Sequence, residues 1–333
     1  MKQLTFLLVA ALSLCAVLQA AAARAAGAET GAGSPAAAVK IATWNMEWLL
    51  SPATFNELAP ICTRDDEKPK PRSIPCDVAA NLERSASDFD ALAKRARELD
   101  ADVIALQEVD GASAARLVFR EHEFCFSGSH VVQNTGFAIR RGVPFRCGDD
   151  VRGLSLGDTL RRGAVVVLYP GTDRELWLLD VHLKAGCTRQ LLDQGGDVCH
   201  RLAHQVPFLE GWIDAQARAG HRFAVLGDFN RVLLAEKGEA RAPDGQQRNV
   251  WREIDDGDPP GATLFNSAEG QRFANCTPGQ AHNGFIDHIL LGERLTPMLV
   301  AASFQQLTWT ARETWRGKLT DHCPIAVRLQ FRP

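Results

Sequence analysis

Apolar runs that stop abruptly at polar residues recur along this chain. Residues 39–45 (VKIATWN), 102–109 (DVIALQEV), 176–182 (LWLLDVH) and 221–226 (HRFAVL) are short and dense in branched and aromatic side chains. Runs of this length and composition predict buried strands. Residues 123–127, 135–140, 164–169, 285–291 and 324–331 read as further strands between Gly, Asp and Pro turns. Apolar positions at Phe89, Leu92, Ala93, Ala96 and Leu99 repeat at helical spacing, which predicts a helix over 88–99 capped by Ser87 or Asp88. Shorter and longer helical patterns cover 112–120 and 201–219. Residues 51–76, and 231–270 with its PDG and GDPPG turns, read as loops. There is no internal repeat and no clear linker after Lys40, so the pattern predicts one α+β domain with two sheets.

The first residues belong to a different pattern. Lys2 precedes an apolar stretch from Leu4 to Leu18, and small residues follow from Ala20 to Ala26. This reads as a secretory signal peptide over 1–26, too short in its apolar run to span a bilayer comfortably. Residues 27–38, rich in Ala and Gly, read as a flexible leader, and 39–333 as the folded domain. Cys15 follows Leu14, where a lipoprotein signal calls for a small residue, so a soluble exported protein, periplasmic or extracellular, is the reading preferred. The expectation is a monomer with no transmembrane segment and no evident protein partner.

Nine cysteines occur, and eight remain after Cys15 is removed with the signal. An even number in an oxidising compartment suggests disulfides. Nearest neighbours give Cys62–Cys76, Cys125–Cys147 and Cys187–Cys199, leaving Cys276–Cys323 as a long-range closure. No CxxC pair or finger-spaced histidine supports zinc. Of 333 residues, 37 are basic and 40 acidic; without Lys2 and Arg24 the balance is 35 against 40. No basic run signals non-specific adhesion to nucleic acid, although Arg161, Arg162, Lys184 and Arg189 are candidates for a local basic rim.

The strand ends carry the chemistry. Asn45 and Glu47, Glu108, His182 and Lys184, Asp228 and Asn230, Asp287, and Asp321 with His322 all lie where apolar runs start or stop. In LGDFNR, Asp228 and Asn230 share one face of an extended chain. Taken alone, that pair is equally an Asx turn closing a strand. Six such endings assembling Asn, Glu, His, Asp and Asn are hard to explain by stability, because unpartnered buried polar groups are costly.

The motifs WN (Trp44–Asn45), QE (Gln107–Glu108), HLK (His182–Lys184), GDFN (Gly227–Asn230), ID (Ile286–Asp287) and TDHCP (Thr320–Pro324) resemble, in order, those of the endonuclease/exonuclease/phosphatase superfamily. That superfamily includes deoxyribonuclease I-like nucleases, abasic-site endonucleases, sphingomyelinases and inositol-polyphosphate 5-phosphatases. The resemblance spans nearly the whole mature chain. Its one departure is Thr320 in place of the usual Ser, which keeps the hydroxyl. It implies a four-layer α/β/β/α sandwich of two mixed sheets packed face to face, with a metal site at one edge.

Phosphodiesters repel nucleophiles by their own charge, so a divalent ion and cationic groups must neutralise what develops in the transition state. On this reading Glu108 anchors the metal, Asn45 supplies a neutral oxygen, Asp321 is a further ligand and Glu47 a candidate one. Mg2+ is the expected ion, with Mn2+ or Ca2+ accepted by the same oxygen set. Asp228 positions or deprotonates the attacking water and Asn230 orients it or the phosphate. His322, with Asp287 holding its tautomer, is an acid–base group or a cationic phosphate contact, and relatives differ on whether it or Asp228 is the base. His182 stabilises phosphate oxygens or protonates the leaving group. Lys184 is a candidate substrate contact or a rim charge; His288, beside Asp287, points to the opposite face and reads as structural. The expected substrate is a phosphodiester in nucleic acid. The alternatives are a lipid- or inositol-headgroup phosphatase or phospholipase, with Trp251, Phe265, Trp309 and Trp315 as candidate membrane contacts, and a non-catalytic binding module.

Overall fold

Alternation along β1 organises the molecule. In this strand (Ala38–Leu49), Ala42, Trp44 and Met46 pack outward with Leu92 and Leu99 of the Ala86–Leu99 helix. The residues between them, Ile41, Thr43 and Asn45, therefore face inward. The computed structural model describes residues 38–331 except 65, 68, 69, 71, 238–248 and 278–283, and the side chains of 314–316 are also outside the description. The expected signal peptide and nearly all of the leader lie outside the described residues.

Strands β1, β2 (Val103–Val109), β3 (His122–Phe126) and β4 (Asn134–Arg140) form the first sheet together with two C-terminal strands. The second sheet contains β5 (Phe145–Cys147), β6 (Ala164–Leu168), β7 (Leu176–His182), β8 (Phe223–Asp228), β9 (Leu264–Asn266) and β10 (Asp287–Gly292). The two strands completing the first sheet are β11 (Gln305–Gln306) and β12 (Ile325–Gln330), giving the order β11-β12-β1-β2-β4-β3; the second runs β5-β6-β7-β8-β10-β9. Among the described strands β1–β2 and β7–β8 pair in parallel and the other neighbours antiparallel, so both sheets are mixed. β1 and β2 lie against β7 and β8 across the inner layer. The Ala86–Leu99 and Ala112–Val118 helices cover the first sheet, and the Gly196–Ala219 helix covers the second. This is the α+β sandwich with helices outside.

Several elements differ from the sequence expectation. The helix expected from residue 88 begins at Ala86, because Ser85 caps it in a reciprocal box with Asp88. The helix expected from 201 starts at Gly196. The two expected loops contain short elements: Pro52–Leu58, capped by Ser51, in the first; Leu233–Glu236, Val250–Ile254 and β9 in the second. These pieces are too short for a periodic signal. The four disulfides are Cys62–Cys76, Cys125–Cys147, Cys187–Cys199 and Cys276–Cys323. Among the described residues no helix is long and apolar enough to cross a membrane.

A buried polar relay sets the two sheets against each other. Gln107 donates to Thr43 Oγ1 at 3.0 Å and to Asp180 Oδ1 at 2.6 Å, while Asp180 Oδ2 accepts from the Gly136 backbone at 2.8 Å. Thr43 and Gln107 belong to the first sheet and Asp180 to the second. Satisfied networks of this kind specify register, because any slip strands a buried donor.

Candidate active site

At one edge of the sandwich the inner faces end in polar residues. His182 lies opposite Asp228 across β7 and β8, and Asp228 opposite Asp287 across β8 and β10. Residues paired in register share a face, so the three side chains form a row. Asn45 reaches this row from the first sheet. Its Nδ2 donates to Asp228 Oδ2 at 3.0 Å and to Glu108 Oε1 at 3.2 Å, while its Oδ1 accepts from the Glu47 backbone at 3.0 Å. The sequence reading has Asn45 offer an oxygen to a cation. Here that oxygen accepts from the Glu47 N–H, which leaves it a second lone pair, and the amide nitrogen ties two carboxylates together.

The backbone bends sharply to deliver these groups. Glu47, Trp48, Glu108 and Asn230 have φ of 44°, 52°, 61° and 53°. A left-handed non-glycine residue costs on the order of 1–2 kcal/mol, and such strain clusters where structure serves a site. The distortion turns backbone donors onto carboxylates: Trp48 N to Glu108 Oε2 at 3.2 Å and Asn230 N to Asp228 Oδ1 at 2.8 Å. Arg84 braces the bend. Its buried guanidinium donates to the carbonyls of Met46, Glu47 and Trp48 and to those of Lys318 and Leu319, joining the end of β1 to the segment that carries Asp321 and His322. Gly227 is required for a different reason: a Cβ there would lie 1.9 Å from the Val181 carbonyl oxygen.

Charge is arranged in two halves. Glu47 Oε2 accepts from the Asp321 backbone at 3.0 Å. Burial, reinforced by the charge of Asp321 and more weakly of Glu108, pushes the Glu47 carboxyl up to about 7. Glu47, Asp321 and Glu108 thus feel one another's negative charge. In the other half, His322 Nδ1 bonds Asp287 Oδ2 at 2.8 Å, and its Nε2 is 3.8 Å from Asp228 Oδ2. Burial opposes the imidazolium, but Asp287 and Asp228 together hold it well above the usual histidine range. Asp228, buried, is pushed up to about 7 by desolvation despite His322. Ligand atoms of Asp228, Asp287 and His322 also lie within 4.8 Å of one another. There the His322 imidazole already partners both acids, at 2.8 Å from Asp287 and 3.8 Å from Asp228.

His182 stands between the halves. Its Nε2 is 3.6 Å from both Glu108 Oε1 and Asp228 Oδ2, and its buried Nδ1 has no hydrogen-bond partner. Burial, and then the charges of Arg161, His322 and Lys184, hold it well below its usual range as the neutral ring. The structure thus gathers Asn45, Glu47, Glu108, His182, Asp228, Asn230, Asp287, Asp321 and His322 at one edge. His288 lies on the other face of β10, where it bonds the Arg231 carbonyl at 2.9 Å and Asn266 at 3.0 Å. Lys184 borders a neighbouring cavity.

Three residues were not marked for a role at the site by sequence. Arg84 sits in the polar stretch NLERSAS, where nothing distinguishes a brace from a surface charge. Asp180 carried a signal, an acid inside the apolar run LWLLDVH. Arg161, named only as a rim candidate, is half-buried with its charge felt at Glu108 and Asp228, and its Nε has no hydrogen-bond partner.

This combination is a two-sheet α+β sandwich with an acid- and histidine-lined edge. The profile of the Endonuclease/Exonuclease/phosphatase family matches residues 42–322, and the chain belongs to that family. No curated protein matches the sequence. Among solved structures, TDP2 from C. elegans superposes with a TM-score of 0.54 at 16% identity, covering 93% of this chain and 80% of that one. An endonuclease/exonuclease/phosphatase family protein from Bacteroides thetaiotaomicron gives 0.55 at 13% identity, covering 89% and 96%. The 3′ phosphatase NExo from Neisseria, bound to a product DNA hairpin, gives 0.50 at 16% identity, covering 88% and 99%.

Proposed function

We propose that this protein is an exported, metal-dependent phosphodiesterase that hydrolyses nucleic acid by attack of an activated water. One observation carries the reading: buried Asp228 lies 3.8 Å from His322 Nε2, whose Nδ1 bonds Asp287 at 2.8 Å, beside the carboxylates of Glu47, Glu108 and Asp321. Glu108, Asp321 and Glu47 would hold Mg2+ or Mn2+, with Asn45 beside them. The ion, when bound, supplies Lewis-acid neutralisation of phosphate charge.

The remaining steps belong to the chain. Asp228 accepts the proton of the attacking water, because a base near pKa 7 is both ionised and basic enough at neutral pH. Asn230, whose Nδ2 is 3.2 Å from Asp228 Oδ2, orients that water. His322 is the cationic phosphate contact and the source of a proton for the leaving oxygen, with Asp287 accepting from its Nδ1 and fixing the ring's orientation. This assigns the base to Asp228, since an imidazolium held by two carboxylates has no lone pair to offer. His182, as the neutral ring, donates an N–H to a phosphate oxygen.

Nucleic acid is preferred over a lipid headgroup because, of the candidates for membrane contact, Trp251 and Trp309 are buried and Phe265 is partly buried, while the Trp315 side chain lies outside the described residues. NExo, of the same fold, was solved with a DNA hairpin. Four disulfides support an oxidising compartment, and we take the protein to act as a monomer. The test is a substrate panel with and without Mg2+: double- and single-stranded DNA, RNA, sphingomyelin and inositol phosphates. Metal-dependent cleavage of the nucleic acids is expected. Turnover confined to sphingomyelin or inositol phosphates would overturn the reading.

A further inference from the structure

A cavity of about 720 Å³ opens beside the acid cluster and shares Trp48 and Arg161 with its surroundings. Its volume lies in the range of small-ligand clefts, roughly 300–1,000 Å³. Of the described residues lining it, five are basic and only two, Glu67 and Asp158, are acidic. Both acids are already engaged, Glu67 by Arg64 at 3.2 Å and Asp158 by Arg162 at 2.9 Å. In a chain of formal net charge −3, this is a local inversion of sign.

Three of the cations crowd one another. Arg161 donates to the Leu183 carbonyl, Lys184 to the Ala185 carbonyl and Arg201 to the Thr159 hydroxyl; none of these partners is charged. Burial first, then Arg161 and Arg201, lower the affinity of Lys184 for its proton, with no acid acting on it in return. Arg161 answers to Glu108 and Asp228, but among the described residues no carboxylate forms an ion pair with Lys184 or Arg201. Arg161 and Lys184 are partly buried and Arg201 is exposed beside them; partly buried like charges without a counter-ion are costly unless an anion joins them. Trp48, half-exposed on the same wall, adds an aromatic face of the kind on which bases stack.

We propose that Arg161, Lys184 and Arg201 form a second phosphate subsite, so that the preferred substrate is a nucleotide unit carrying its own phosphate next to the scissile diester. The proposal rests on the phosphodiesterase reading. It makes the enzyme selective for phosphorylated ends or short oligonucleotides, because the cleft admits a nucleotide-sized group and its cations reward the dianionic terminal phosphate beside the monoanionic diester.

The experiment compares kcat/KM of the magnesium-loaded full chain on matched esters. One pair is 5′-phosphothymidine 3′-(p-nitrophenyl phosphate) and its 5′-hydroxyl counterpart; a second pair reverses the polarity, and bis(p-nitrophenyl) phosphate is the reference. In one polarity the extra phosphate should raise kcat/KM by about tenfold or more, through KM, as expected for charge-assisted hydrogen bonds. Lys184→Gln and Arg201→Gln should each shrink that advantage several-fold, while Arg201→Lys keeps most of it. Equal turnover of both members in both polarities, or variants that keep the full advantage, would overturn the subsite. The same advantage on inositol 1,4-bisphosphate over inositol 1-phosphate would overturn its assignment to nucleotides. Hydrolysis of bis(p-nitrophenyl) phosphate without any advantage counts against the subsite alone. No hydrolysis of any ester counts against the phosphodiesterase itself.

Discussion

Asp228 is buried to 1% exposure, yet it accepts from Asn45 and twice from Asn230, so it is built to carry charge part of the time. As the base it must be ionised, and kcat/KM should rise with pH through an acid limb near 7. Asp228→Asn should remove the limb and lower kcat by about 10²–10⁴-fold, the usual worth of general base catalysis. Stability runs the other way. A carboxyl whose folded pKa is raised binds more protons folded than unfolded between about 4 and about 7. The contributions of Asp228 and Glu47 are therefore fully present below about 4 and lost as pH approaches their folded values of about 7. In chelator, thermal melts across that window should decline less for Glu47→Gln than for the wild type. An identical decline would show that Glu47 is not held near neutrality.

The strand ends depend on braces from elsewhere in the chain. Arg84→Leu leaves five carbonyls without this donor, and buried unsatisfied groups cost about 1–3 kcal/mol each. The variant should lose at least about 3 kcal/mol in denaturant unfolding and bind Mn2+ more weakly, since Glu47 and Asp321 are held through the same clamp. Unchanged stability would contradict the clamp. Such elements also mark what sequence could reveal. The nine site residues stand where apolar runs start or stop, and period-two alternation puts Asn45, Asp228 and Asp287 inward. Arg84 is invisible to that reasoning because its partners are backbone carbonyls from two distant segments, which no side-chain pattern records. Likewise Pro52–Leu58 and Val250–Ile254 are single turns or little more, too short for a hydrophobic period to emerge.

At the scale of the whole molecule, an edge rich in carboxylates lies beside a cleft whose described lining has five basic and two acidic residues, the pair of charge fields on which the proposed metal and phosphate sites rest. Disulfides staple the loops that border them. Cys62–Cys76 closes a segment lining the cleft, and Cys187–Cys199 fastens the chain between Lys184 and the long helix. Replacing Cys187 and Cys199 with Ser should destabilise the fold by about 2–4 kcal/mol, read from denaturant midpoints under oxidising conditions.

The central claim is that this edge hydrolyses phosphodiesters with the help of a divalent ion. The most direct measurement is the initial rate on bis(p-nitrophenyl) phosphate at neutral pH, before chelation, after it, and after Mg2+ or Mn2+ is restored. The account predicts that chelation abolishes the rate and that restoring the ion recovers it. An undiminished rate after chelation would contradict it.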